Sequence, residues 1–354
     1  MTSRERKLEA PHRRSETPPR IVEKAAVVGY KLTAAALAHL PPRLSIALLG
    51  LINQAGYLLW PAKRGFSNGN FGHVLGLPPS DPAVRRMALR AYRAYATYMV
   101  ELMRLPSRPQ AEMAGLIEGD GIDRVAEAWR QHGRSMIVCA GHVGNNEAVA
   151  AGIASHGYPA NVLADDTAFP ELFDILRRQR ESWGVHVIPW RNLRELFTIL
   201  RRNEILALLV DWGYRDDGIP VRLFGAWTTL PAGPAVLAAK TGALIAPLAI
   251  RRTRDGRFRI EAGESFTVPS SDPADLQRAT QRIADALERT IAAAPEQWYS
   301  FKPIWPATEA EARELERRAG EMLAGRPGTP TAAGASAEGT SSAVAPTAEP
   351  EGGA

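Results

Sequence analysis

A chain of 354 residues, 45% hydrophobic, is long enough to bury a full core, and one large domain is expected rather than two. Its formal net charge of +5 suits an anionic membrane, a phosphorylated substrate or nucleic acid, but no helix-turn-helix, zinc-finger or aromatic nucleic-acid signature accompanies it, which disfavours the last. A single cysteine, Cys139, excludes an internal disulfide and a cysteine-based metal site, and the seven histidines show no His-Glu-x-x-His spacing, so neither a metal nor another cofactor is expected.

Residues 1–22 are charged, contain proline and carry few large apolar groups, so they read as a disordered arm, without the apolar run of a secretory signal. Residues 23–110 read as a helical region associated with a membrane. The most apolar part of the chain, Val27 to Trp60, divides at Pro41-Pro42 into two helices. The second is about long enough to cross a bilayer core, but Asn53 and Gln54 in its middle make spanning costly. An interfacial position, with Tyr57 and Trp60 at the headgroups, is expected rather than spanning, and a buried core helix pair is the alternative. Arg64 to Leu75 reads as a connector. Asp81 to Leu105 is a strong amphipathic helix whose arginines suit either anionic lipid or a solvated face.

From residue 111 to 310 the pattern becomes α/β. Candidate strands are Met136–Ala140, Asn161–Ala164, Val185–Pro189, Ile205–Val210, Leu244–Ile250 and Arg259–Ala262. Candidate helices are Phe169–Trp183, Asn192–Arg202, Pro231–Thr241 and Ala274–Ala294. Strands spaced by helices imply a mostly parallel central sheet flanked by helices. A further helix is expected over 311–324. From 325 onward glycine, proline, alanine, serine and threonine dominate, and the tail reads as disordered.

The chemistry concentrates at Ser135-Met-Ile-Val-Cys-Ala-Gly-His142-Val-Gly-Asn-Asn-Glu147. A short apolar strand runs into a glycine turn and then a helix start that Asn145 or Asn146 can cap. His142 therefore projects from the carboxyl end of a strand, where open α/β sheets place ligands. Glu147 is five residues on, in the first helical turn, and is expected to hold one imidazole nitrogen so that the other can take a proton. That suits activation of a hydroxyl for attack on a carbonyl carbon. No Gly-x-Ser-x-Gly elbow supplies a serine nucleophile, so direct attack is expected.

Gly-His142-Val-Gly-Asn-Asn-Glu147 resembles the His-x4-Glu/Asp block of the bacterial lipid A biosynthesis (lauroyl/myristoyl-type) acyltransferase family, which includes phosphatidylinositol mannoside acyltransferases. Val143 and Asn146 replace its usual aromatic and Trp. Leu208-Leu-Val-Asp211 resembles its strand–Asp block, Phe224-Gly225-Ala-Trp-Thr228-Thr229 its block of Phe-Gly followed by Thr-Thr, and Pro295-Glu296-Gln297-Trp298 its C-terminal block. After that last block Lys302-Pro-Ile stands where the family often has His-Arg-Arg. The resemblance implies a glycerolipid-acyltransferase-like fold and transfer of a fatty acyl chain from acyl carrier protein or coenzyme A to a hydroxyl of a membrane glycolipid or phospholipid. It places the protein on the cytoplasmic face of the inner membrane, peripheral or monotopic. His142 and Glu147 become the catalytic pair. Arg180 is carried over as a phosphate binder, Asp211 as a residue that orients an arginine or meets the acceptor sugar, and Gly225 as a point of close backbone approach that can receive an oxyanion. Asn145 completes the substrate-binding set. An esterase or thioesterase using the same pair, or a non-catalytic membrane-bound scaffold, are the rival readings.

Overall fold

The computed structural model describes residues 20–166, 169–190 and 192–325. It begins with four helices: α1 (Arg20–His39), α2 (Pro42–Leu59), α3 (Pro61–Leu75) and α4 (Pro82–Arg104). Proline opens three of them, where its missing N–H has no intrahelical partner to lose. Asp81 caps α4 by accepting from the Ala83 amide at 2.7 Å. The helix α1 starts at Arg20, so the last three residues assigned to a disordered arm are helical; residues 1–19 and 326–354 lie outside the described residues.

The stretch expected to connect, Arg64 to Leu75, is instead most of α3. Its glycines make it a poor helix by propensity, and packing overrides this. Phe71 is fully buried, and Asn70 is buried with its amide donating to the carbonyls of Ser300 (3.0 Å) and Lys302 (2.7 Å) while its oxygen accepts from the Ile304 amide (3.2 Å). Arg64 donates to the Leu58 carbonyl at 2.7 Å.

The helix α2 is turned with its polar residues inward. Asn53 and Gln54 donate to the carbonyls of Tyr92 and Leu89 on α4, at 3.3 and 3.2 Å. Tyr57 is buried and donates to Asn68 at 2.8 Å, so it does not occupy a headgroup position. Leu44, Leu48, Leu51, Ile52, Leu58, Leu59 and Trp60 face outward and are exposed. The apolar side of α4 (Val84, Ala88, Ala91, Ala96, Val100) is spent inside the molecule, leaving Arg85, Arg86, Arg90 and Arg93 exposed. Among the described residues no single helix is long and apolar enough to cross a membrane; α2 and α3 pass that test only together, and they are bent by 97° at the Pro61 break.

The α/β part follows: α5 (Gln110–Met113), β1 (Ile117–Glu118), α6 (Gly121–His132), β2 (Met136–Ala140), α7 (Asn146–Ser155), β3 (Ala160–Ala164), α8 (Pro170–Glu181), β4 (Val185–Pro189), α9 (Leu193–Arg201), β5 (Ile205–Leu209), β6 (Ile219–Leu223), β7 (Ala226–Leu230), α10 (Gly233–Thr241), β8 (Leu244–Arg252), β9 (Phe258–Ala262), α11 (Pro273–Ala293) and α12 (Glu309–Leu323). Seven strands form one sheet in the order β1-β9-β8-β2-β5-β3-β4. From β8 to β4 every pairing is parallel, while β9 runs antiparallel to β8. Strand β2 lies in the middle and is buried on both faces: Ile137 and Cys139 enter one core, Met136, Val138 and Ala140 the other. That explains its uninterrupted apolar run.

The antiparallel ribbon of β6 and β7 was not anticipated as strands. Its two-residue turn, Phe224-Gly225, has both φ values positive, at 50° and 73°. That is the backbone of a tight hairpin, but Phe stands where Asn or Asp would have signalled it. The ribbon packs on α11, where the Gln281 side chain bonds both the amide and the carbonyl of Arg222, at 2.9 Å each.

Candidate active site

The centre of the site follows from strand register. In the parallel pair β2–β5, Ala140 lies opposite Leu209. His142 is two residues beyond Ala140 and Asp211 two beyond Leu209, so both emerge side by side at the carboxyl edge of the sheet. The imidazole Nδ1 of His142 is 2.6 Å from Asp211 Oδ1. The His142 backbone amide also donates to both carboxylate oxygens, at 3.0 and 2.9 Å, and the Trp298 indole N–H donates to Oδ2 at 2.8 Å. A carboxylate only accepts, so Nδ1 carries a proton, and in the neutral ring Nε2 keeps its lone pair.

Asp211 is fully enclosed while the His142 side chain retains 27% of its surface. Burial alone would push the Asp211 carboxyl up; the charge and hydrogen bonds of His142 and the bond from Trp298 outweigh it and hold it below 3.8. For His142, burial disfavours the imidazolium, but the charge and hydrogen bond of Asp211 prevail. Lys302 lowers and Glu147 raises the result, which lies above 6.5.

The loop carrying His142 is fixed from beneath and from the side. Gly141 is so close to its surroundings that a Cβ would lie 2.5 Å from Leu287 and 3.1 Å from Asp211 Oδ2. Gly144 has φ +70°, and a Cβ there would press on the Ile250 backbone at 3.0 Å. Val143 makes an antiparallel bridge to Trp298, with the Gly144 amide donating to the Gln297 carbonyl (3.1 Å) and the Tyr299 amide to the His142 carbonyl (2.9 Å). The Pro-Glu-Gln-Trp block therefore clasps the His142 loop and bonds Asp211 directly.

Glu147 does not orient the imidazole. It stands in the first turn of α7 and forms a two-pronged pair with Arg180 in the last turn of α8, at 2.8 and 2.5 Å. Both side chains are about 15% exposed. Arg180 is thus engaged by Glu147 through two of its N–H groups; burial opposes its charge, and the carboxylate more than restores it. The reason is reach: His142 sits before the loop's glycine turn and Glu147 after it, whereas Asp211 arrives on the adjacent strand. Asn145 is buried, accepts from the Ala148 amide as the cap of α7 (3.1 Å) and donates to Glu101 (3.1 Å), so it is a structural cap and not a substrate ligand. Gly225 occupies the turn of the β6–β7 ribbon, where the Phe224 amide donates to Glu288 of α11. It is tied to α11 rather than to the His142 loop.

A largely apolar cavity of about 210 Å³ opens between the sheet and α11, beneath this loop. Cys139, Gly141, Val210, Leu248, Ile283 and Leu287 line it, and Arg251, Glu261 and Arg289 also border it. Among the described residues no three His, Cys, Asp or Glu side chains group as a metal site.

The profile of the bacterial lipid A biosynthesis acyltransferase family matches residues 37–306, about three quarters of the chain and all of the elements described above except part of α1 and α12. The chain belongs to this family. Among its relatives, phosphatidylinositol mannoside acyltransferase of Mycobacterium tuberculosis (strain CDC 1551 / Oshkosh) is 28% identical over 262 residues, covering 70% of this chain and 79% of the relative. The protein of the same name from Mycolicibacterium smegmatis (strain ATCC 700084 / mc(2)155) is 28% identical over 252 residues, covering 69% and 80%. The chain is accordingly an O-acyltransferase of lipid biosynthesis.

Within this acyltransferase, sequence reasoning missed Trp298, Trp212 and Lys302 as residues of the site. A buried tryptophan must place its single N–H, which was the available signal for Trp298. Its acceptor, Asp211, lies 87 positions away.

Proposed function

We propose that this acyltransferase moves a fatty acyl chain from a thioester donor, acyl coenzyme A or acyl carrier protein, to a hydroxyl of a membrane glycolipid of the phosphatidylinositol mannoside or lipid A type. His142 is the general base, and Asp211, not Glu147, is the carboxylate that orients it. The observation that carries this reading is the 2.6 Å contact from Asp211 to Nδ1, which leaves Nε2 as the accepting nitrogen at the sheet's carboxyl edge.

In this mechanism Nε2 removes the acceptor hydroxyl proton as its oxygen attacks the thioester carbonyl carbon. The carbonyl oxygen gains negative charge, and the imidazolium is stabilised by Asp211. Collapse breaks the carbon–sulfur bond, and the departing thiolate takes the proton back from Nε2. The products are an ester and a free thiol, and the imidazole is neutral again. The largely apolar cavity lined by Gly141, the neighbour of His142 in the chain, supports the reading, because an acyl chain needs apolar surroundings.

The outward leucines of α2 with Trp60, and the exposed arginines of α4, support a peripheral or monotopic position on an anionic membrane face, the cytoplasmic one, where both thioester donors occur. Apolar side chains facing out over inward-bonded Asn53 and Gln54 invert the usual soluble pattern.

The test is acyl transfer from palmitoyl coenzyme A in vesicles with and without phosphatidylinositol mannosides. His142→Ala should lower transfer by about 10³-fold or more with the thermal melt unchanged. Full transfer by that variant would overturn the base assignment. Thioester consumption as fast without acceptor as with it would favour a thioesterase.

A further inference from the structure

We propose that Lys302, held against Trp212, is the cation that receives a phosphate group of the substrate at the entrance beside His142. The inference rests on the acyltransferase reading above and goes beyond it by naming an anion subsite and its residues.

Three observations carry it. The Lys302 ammonium lies 3.6 Å above the Trp212 ring, and that ring lies 5.7 Å from the His142 ring. Trp212 is half exposed and Lys302 exposed, so the cation stands at an accessible surface next to the base. The backbone under Lys302 is also built, not loose. Buried Asn70 bonds the carbonyls of Ser300 and Lys302 and the amide of Ile304, and the Tyr214 amide donates to the Pro303 carbonyl at 2.8 Å. Gly213 lies beside the Lys302 side chain at the same point: a Cβ added there would be 3.6 Å from the lysine Cβ.

A lysine tethered at both ends, by Asn70 at its carbonyl and by Trp212 at its ammonium, has surrendered much of its rotamer freedom before any ligand arrives. An ammonium over an aromatic face keeps its outer N–H groups free to donate. Burial disfavours the charged form of Lys302 and Lys63 adds to that, while Asp165 supports it, so that its pKa lies below the usual lysine value. The nearby charge pairs are otherwise closed: Asp211 is taken by His142 and Trp298, and Arg180 by Glu147. Lys302 is thus an exposed cation beside Trp212 and the base that a ligand can reach. Phosphate is the anion to be met there, since a coenzyme A donor carries phosphates and a phosphatidylinositol-type acceptor carries a phosphodiester.

The experiment measures steady-state transfer by the full chain in vesicles, with His142→Ala as a control, for wild type, Lys302→Met and Lys302→Arg. Two donors are compared: palmitoyl coenzyme A and the phosphate-free palmitoyl-N-acetylcysteamine. Removing a charged hydrogen-bond partner that binds ground state and transition state alike should raise KM by about tenfold or more at constant kcat. Lys302→Arg should restore most of it. A KM effect confined to palmitoyl coenzyme A assigns the donor's phosphate, and one on the lipid acceptor that persists with the phosphate-free donor assigns the acceptor's. A fall in kcat without a KM change, or no change in either constant, would overturn the proposal. Those outcomes leave the base assignment untouched as long as His142→Ala is inactive; a fully active His142→Ala sinks that assignment whatever Lys302 does.

Discussion

His142–Asp211 and Arg180–Glu147 are both acid–base pairs anchored on the chain that runs from β2 into α7, yet they are built differently. Asp211 comes from the strand next to that of His142, is fully buried, and accepts four hydrogen bonds, one of them from Trp298. Its partner remains partly open to solvent, so one nitrogen is fixed and the other is available. In the second pair two N–H groups of Arg180 bond the two oxygens of Glu147, and the contact joins α7 to α8. The difference teaches that a carboxylate's distance from a histidine in sequence says little about which one holds it. Strand register put Asp211 at Nδ1 from 69 residues away, while Glu147, five residues away, was drawn off by an arginine.

The sharpest way to break the comparison is to neutralise each acid separately. Asp211→Asn should reduce kcat by about 10³–10⁴-fold, because the amide no longer selects the Nδ1–H tautomer or stabilises the imidazolium, while folding is largely kept. A kcat within a few-fold of wild type would show that Asp211 does not orient the base. Glu147→Ala should act on stability first. Leaving Arg180 buried without its partner costs about 3–5 kcal/mol, read as a lower midpoint in urea denaturation. The double change Glu147→Leu with Arg180→Met should recover most of that loss. If the single change left the midpoint in place and abolished transfer in a well-folded enzyme, the two pairs would have to exchange roles.

The next effect is on pH dependence. The base works only when unprotonated, so transfer should fall as pH drops through the His142 value, which lies above 6.5 chiefly because Asp211 prevails over burial. In Asp211→Asn that support is gone, and the acid limb should move to lower pH even as the rate falls. An acid limb that stays in place would uncouple the two residues. The smallest effect is expected from Trp298→Phe, which removes one of the donors to Asp211: kcat should fall by up to about tenfold, with a modest loss of stability. A loss as large as that of Asp211→Asn would mean that Trp298 sustains the whole loop through its bridge to Val143.

The N-terminal helices teach a parallel lesson about polarity. In sequence Asn53 and Gln54 looked like a cost of membrane contact, because they interrupt an apolar run. Folded, they are bonded to α4 and the leucines look outward. Tyr57, assigned with Trp60 to the headgroups, went inward while Trp60 stayed out. Helical periodicity alone did not say which stripe would be covered.

Local pattern was enough for the α/β alternation. The apolar runs of β2, β4 and β5, the prolines that open α2, α4 and α11, and the glycine turn that delivers His142 to a strand's end are properties of short segments, and short-range sterics and burial suffice to set them. Motif likeness was enough for the family. What needed the tertiary structure was partnership. The helicity of the glycine-rich Arg64–Leu75 segment depends on Asn70 bonding residues some 230 positions later. The Phe224-Gly225 hairpin depends on α11, and the identity of the carboxylate at His142 depends on which strand lies next to β2. A side chain's preference for a hydrogen-bond partner is written in its own chemistry, but the partner is whichever group the packed chain brings within 3 Å, and that is decided by contacts between segments that share no local code.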